Sequence, residues 1–233
     1  MAGERLAQKR GSAGMTESKG SLRLLLVGAT GEVGRAVLAQ ALPDRRVGEV
    51  VALTRRALPA AEKLNNVVVD FDALPAAAPW WAVDAVICTL GTTQRAAGSK
   101  ERFAAVDRDL PVRIARLARS AGATRFALNS SLGADAGSAN LYLRTKGEAE
   151  DAIRQIGYPG YSIVRPSLID ANRIESRPGE RLALHLARAL GPLIPRRWRA
   201  VSPAAIACAL IEAVLASPPV SRVVESAQLH QTR

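Results

Sequence analysis

An apolar run from Leu22 to Val27 stops at three glycines spaced three apart, Gly28, Gly31 and Gly34, and passes into an amphipathic segment closed by Pro43. That order restricts the fold more than any other feature of the chain. A short apolar run without strict polar alternation belongs to a strand covered on both faces, as in a parallel sheet. The glycines remove side chains where the strand turns into a helix, so the free N–H groups of the helix N-terminus face the strand end. A pyrophosphate is the kind of anion such a terminus accepts. A plainer reading is also open, in which the glycines serve only a tight turn and close helix packing. The spacing G-x-x-G-x-x-G departs from the commoner G-x-G-x-x-G of dinucleotide sites.

The same alternation continues downstream. Glu49 to Leu53, Asn66 to Val69, Val83 to Cys88, Arg125 to Leu128 and Tyr161 to Val164 read as further buried strands. Helices are expected over Gly31 to Leu42, about Ser99 to Ala121, and about Asn140 to Ile156 with a stop at Gly157. Strands that alternate with helices imply an α/β, doubly wound parallel sheet. From Pro166 onward two helical patterns remain, near Glu180 to Leu190 and from Ser202 to Leu215, the second started by the cap-and-proline pair Ser202-Pro203. This small C-terminal helical region, residues 166–233, is expected to cover a substrate pocket. The residues from 21 onward are expected to form a single domain, preceded by a disordered leader over residues 1–20 that mixes Gly, Ser, Lys, Arg and Glu.

Composition narrows the function classes. The chain of 233 residues has 48% hydrophobic residues and no stretch long and apolar enough for a membrane helix, which needs about 18 residues. Net charge is +11, but the arginines are scattered with few aromatics between them, so no specific nucleic-acid module emerges. PRRWR, Pro195 to Arg199, is one basic-aromatic cluster and reads either as a connecting turn or as a contact for an acidic partner. Cys88 and Cys208 read as buried thiols, His185 and His230 have no companion ligands, and no metal is expected. Unpaired thiols suggest a reducing, cytoplasmic setting.

The chemistry-bearing residues fall at strand ends. Gly28, Thr30, Gly31, Glu32, Val33 and Gly34 make the first turn, and Thr54, Arg55 and Arg56 follow the second strand, where NAD enzymes carry an acidic residue for the ribose. Two guanidinium groups suit a 2′-phosphate, so NADP(H) is favoured over NAD(H), although solvated surface arginines remain an open reading. Asp70 and Phe71 lie where such folds meet adenine, and Leu90, Gly91, Thr92 and Thr93 along the cofactor edge. Tyr142 and Lys146 share a helix face one turn apart, a pair expected by chance only about 0.06 times in this composition. Tyrosine holds its proton tightly at neutral pH, and an adjacent ammonium favours its ionised form. Lys146 supplies that ammonium, while Ser130 and Ser131 end the preceding strand and can orient a carbonyl oxygen.

These segments, with VVDFD at Val68, VDRDL at Val106, SSLGAD at Ser130, LYLRTKGEAE at Leu141 and SRPGE at Ser176, resemble an atypical short-chain dehydrogenase/reductase. Within it the likeness is to the group of the HIV Tat-interacting protein and its bacterial relatives, and it runs from about Leu22 to Glu225. The resemblance implies a Rossmann-like fold with bound NADPH, and carries Ser131, Tyr142 and Lys146 over to catalytic positions. Ser130 stays in play beside Ser131. It also implies that Arg165, Pro166 and Ser167 pass beside the nicotinamide. SRPGE is read as a helix start that flanks the pocket or, through Arg177, as a substrate contact. The expected activity is NADPH-dependent reduction of a small carbonyl compound, with Tyr142 as proton donor. The alternative is an NADPH-binding regulator acting through a protein partner. Substrate identity and oligomeric state stay open.

Overall fold

The computed structural model describes residues 21–170 and 195–230. Seven strands, β1 (Leu22–Val27), β2 (Val47–Thr54), β3 (Leu64–Val68), β4 (Ala85–Cys88), β5 (Arg125–Asn129), β6 (Gly160–Arg165) and β7 (Arg222–Glu225), form one sheet in the order β3-β2-β1-β4-β5-β6-β7. Every pair is parallel. Among the described residues the helices are α1 (Glu32–Ala41), α2 (Gln94–Ala97), α3 (Lys100–Ala104), α4 (Leu110–Ser120), α5 (Leu141–Arg154) and α6 (Pro203–Leu215). The chain thus forms a Rossmann-like α/β fold whose strand order reverses between β1 and β4. Ligands of such sheets sit beyond the carboxyl ends of the strands at that reversal.

The uninterrupted apolar strands follow from two cores. In β1, Leu24 and Leu26 pack on the α1 and α6 side with Val33, Val37, Ile206 and Leu210, whereas Leu25 and Val27 pack on the other side with Trp81, Ile114, Phe126 and Ile153. The period of two is present, but both phases are apolar because both faces are covered. Each fully buried leucine contributes roughly 1.5–3 kcal/mol.

The expected elements recur with small shifts at their ends, and three differences matter. The expected helix over Ser99 to Ala121 is interrupted by a π-helical turn, Ala105–Asp109, between α3 and α4. Pro111 explains the break: it lacks an N–H, and its ring opposes the carbonyl four residues earlier, that of Asp107, so the helix widens ahead of it. Second, β7 extends the sheet beside β6, and α6 packs against α1 in the core, so these parts of the C-terminal region build the fold itself. Ser202 caps α6 as expected, accepting from Ala205 N at 3.2 Å. Third, Cys208 is half-buried, because it lies on a flank of α6, while Cys88 is fully buried. The expected leader, the helix near Glu180 to Leu190, Arg177 with the SRPGE segment, and His185 lie outside the described residues.

Candidate active site

The glycine turn is built by steric exclusion. Gly28 has φ +91°, and a Cβ there would stand 2.6 Å from Thr89 Oγ1 and 2.8 Å from Thr89 C at the end of β4. A Cβ on Gly34 would stand 2.0 Å from Gly28 O, so α1 can cross the strand end only where that residue is glycine. Gly31 is different. Its nearest neighbour would be Gly28 O at 3.4 Å, it is exposed, and as N-cap of α1 it offers no side-chain cap to the first N–H groups. Packing therefore requires Gly28 and Gly34, while Gly31 leaves the helix terminus open to an anion. Thr30 is exposed, Val33 is buried, and the Glu32 carboxylate pairs with Arg35 at 2.8 Å.

At the end of β2 the buried Thr54 donates through Oγ1 to Arg56 O at 2.7 Å and accepts from Asn66 Nδ2 at 2.8 Å. This pins the turn, and both Arg55 and Arg56 project into solvent without an ion-pair partner among the described residues. Asp70 is exposed and accepts from Asp72 N at 2.9 Å, while Phe71 packs half-buried against the α4-side core. After β4, Leu90 and Thr92 are half-buried, Gly91 is exposed, and Thr93 caps α2 by accepting from Ala96 N at 3.1 Å.

Tyr142 and Lys146 lie in α5, whose N-cap Asn140 accepts from Leu143 N at 3.2 Å. The approach of α5 to the preceding loop is close: a Cβ on Gly147 would stand 2.2 Å from Ala136 N. The Tyr142 ring lies 5.9 Å from the buried ring of Phe103. Lys146 Nζ pairs with Asp107 Oδ1 at 2.7 Å, with side-chain exposures of 5% and 0%. The other Asp107 oxygen accepts Thr92 N at 2.8 Å.

The two serines separate. Ser130 is buried and donates to Glu150 Oε1 at 2.6 Å, whereas Ser131 is half-exposed and its hydroxyl only brushes Leu132 O at 3.5 Å. The Ser130 hydroxyl is thereby committed to the core. Arg165, expected beside the nicotinamide, turns its guanidinium to Glu150 at 2.5 Å and Glu225 at 3.1 Å, and Arg154 reaches Glu150 at 3.0 Å. The hydrogen bond to Glu150 raises the Arg165 pKa above its ordinary value. Pro166 is buried, and its carbonyl accepts Leu132 N at 2.8 Å, which fixes the strand end rather than a side chain beside the site. Burial pushes the Cys88 thiol up to about 11, so it is inert at neutral pH.

Residue reading missed two groups, Asp107 and Glu150. VDRDL contains Asp107, and the proline four residues on is the only local signal that its turn is unusual. Glu150 looks like an ordinary helix glutamate, and only its zero exposure marks it as the centre of a network. PRRWR forms an exposed 3-10 turn, Arg196–Trp198, with Arg197 over the Trp198 ring at 5.5 Å. Among the described residues no group of three His, Cys, Asp or Glu side chains could hold a metal, and no helix is long and apolar enough to cross a membrane.

Residues 28–197 match the NAD(P)H-binding family. Protein HTATIP2 of Rattus norvegicus is 39% identical over 180 residues, 75% of this chain and 72% of that protein. Mitochondrial fmp52 of Emericella nidulans is 37% identical over 175 residues, 71% and 75% of the two chains. MoeE5 in complex with UDP-glucose and NAD superposes with a TM-score of 0.65 at 18% identity, covering 86% of this chain and 74% of that one, and shares the fold. The fungal relatives overturn the expected cytoplasmic setting, since they are named mitochondrial. Cys88 and Cys208 are free thiols, which does not by itself single out a compartment. With its glycine turn and its parallel sheet, the chain belongs to the NAD(P)H-binding family, with HTATIP2 and fmp52 among its relatives.

Proposed function

We propose that the protein is an NADPH-dependent reductase of a small carbonyl compound. One observation carries the reading: Lys146, 4% exposed, lies beside Gly91 and pairs with Asp107, on the helix that presents Tyr142 one turn away. Burying an ammonium is costly, and a cation held at the ligand end of a parallel sheet fits a role toward a bound nucleotide. The residues present suit that nucleotide. The open α1 terminus at Gly31 receives the pyrophosphate, and the exposed Arg55 and Arg56 favour a 2′-phosphate.

When bound, the dihydronicotinamide supplies a hydride. Tyr142 gives its hydroxyl proton to the substrate oxygen as that oxygen gains charge, and Lys146 stabilises the phenolate left behind. Ser131, rather than the committed Ser130, donates a hydrogen bond to the same oxygen. Phe103 backs the Tyr142 ring and limits its movement.

Purified protein is titrated with NADPH and NADH by nicotinamide fluorescence, then assayed for NADPH oxidation with aldehydes, ketones and quinones. Tyr142→Phe is expected to bind NADPH like the parent and to lose turnover by about 10²- to 10⁴-fold. Normal binding together with unchanged turnover would remove the tyrosine from the mechanism. Normal binding with no turnover in any protein would favour a cofactor-sensing regulator.

A further inference from the structure

We propose that Asn66, in β3, is a positioning residue that shapes the loop carrying Arg55 and Arg56, and through it the preference for a 2′-phosphorylated nucleotide. That this loop meets a nucleotide rests on the function proposed above. The amide of one side chain holds both ends of the loop. Nδ2 donates to Ala52 O at 2.9 Å and to Thr54 Oγ1 at 2.8 Å, while Oδ1 accepts the Leu58 backbone N–H at 2.7 Å. Both amide hydrogens and the carbonyl oxygen are thereby engaged, and a flipped amide would turn its donors toward the Leu58 N–H.

The Thr54 hydroxyl carries this hold into the loop. It accepts from Asn66 and donates to Arg56 O at 2.7 Å, and Thr54 is 3% exposed. The backbone adds a further tie, Val69 N to Thr54 O at 2.9 Å. Arg55, Arg56 and Ala57 are thus exposed between fixed points at Thr54 and Leu58. Stability alone accounts poorly for an asparagine at this place. Asn66 stands opposite Ala52 in the β2–β3 ladder, on the sheet face where Leu64 packs against the α1-side core. Asparagine is depleted in strands, where a β-branched side chain fits the pleat better. An apolar residue would suit that face and leave the loop without its ties. Two long side chains that start from a fixed backbone lose less freedom on meeting a phosphate than two on a mobile loop. A nucleotide without the 2′-phosphate gains nothing from their placement, so the effect of Asn66 is selective.

Dissociation constants for NADPH and NADH test the selectivity across one cycle: the parent, Asn66→Ala, Arg55→Ala with Arg56→Ala, and all three changes together. Asn66→Ala is expected to weaken NADPH binding about fivefold and to leave NADH within about twofold. Added to the two arginine changes, it should alter neither constant further. Equal losses for the two nucleotides, additive losses across the cycle, or unchanged NADPH binding would overturn the inference, as would equal parent affinities for the two. A merely structural role would lower the melting temperature without this split. If Asn66→Ala does not fold, Thr54→Val, which keeps the side-chain shape and removes the hydroxyl link to Arg56 O, replaces it with the same expectation.

Trypsin cleavage of the nucleotide-free protein gives a second readout, because Arg55 and Arg56 are themselves cleavage sites. Asn66→Ala is expected to speed cleavage after these two residues on the order of tenfold relative to cleavage after Arg125 in β5, which reports general unfolding. An unchanged ratio would overturn the inference whatever the nucleotide does. Absence of NADPH and NADH binding by the parent would instead remove the proposed function, and the cleavage ratio would still decide whether Asn66 sets the loop.

Discussion

The β1–β2 end of the site is made of backbone, whereas the β4–β6 end is made of buried charge. At the first, glycines at 28 and 34 let a helix cross a strand end within touching distance, and the exposed arginines are held outward by a pinned turn. At the second, Asp107 and Lys146 pair out of water, and Glu150 collects Ser130, Arg154 and Arg165 beneath the strand ends. The contrast teaches how each region can fail. A backbone turn is broken by adding atoms, and a charge network is broken by removing one.

The largest effect is expected where the network is broken at its centre. Glu150→Ala leaves Arg165 and Arg154 without their buried partner and should cost about 3–5 kcal/mol by urea denaturation. A loss below 1 kcal/mol would show that Glu225 alone satisfies Arg165. Next is the turn. Gly34→Ala places a Cβ against Gly28 O and should cost about 1–3 kcal/mol, with NADPH binding weakened together with stability. If binding stays intact at that cost, the turn can shift without losing its anion site, and the contrast between the two ends weakens.

Smaller effects refine the comparison. Arg55→Ala with Arg56→Ala should raise the NADPH dissociation constant about tenfold, leave NADH binding unchanged and leave the melting temperature where it was, since both side chains are solvated. An equal loss for both nucleotides would assign the arginines a general electrostatic role. Ser130→Ala should cost about 1 kcal/mol and spare turnover, because its hydroxyl serves Glu150, while Ser131→Ala should spare stability and lower turnover. The reverse pattern would exchange the two serines.

Some of the site is legible in the residues alone. The glycine turn, the strand-end loops and the Tyr142–Lys146 spacing are local, so neighbouring residues announce them. The helix through Pro111 was legible as a helix but not as a widened one, because the displaced ladder depends on what Asp107 finds across the fold. β7 carries one buried residue, Val224, in a short edge strand, which is too little pattern to read. Arg165 sits where the strand end meets the site, and only its partners turn it away.

By itself the sequence determined the doubly covered parallel strands, the helix aimed at the end of β1, and which residues share a helix face. Backbone sterics and hydrophobic period act over a few residues, and they suffice for that. Tertiary structure decided which serine stays available, where the Arg165 guanidinium points, and that Lys146 is held by Asp107. Those outcomes depend on desolvation and on pairing between residues far apart in the chain. A buried charge takes its role from the partner that folding brings to it.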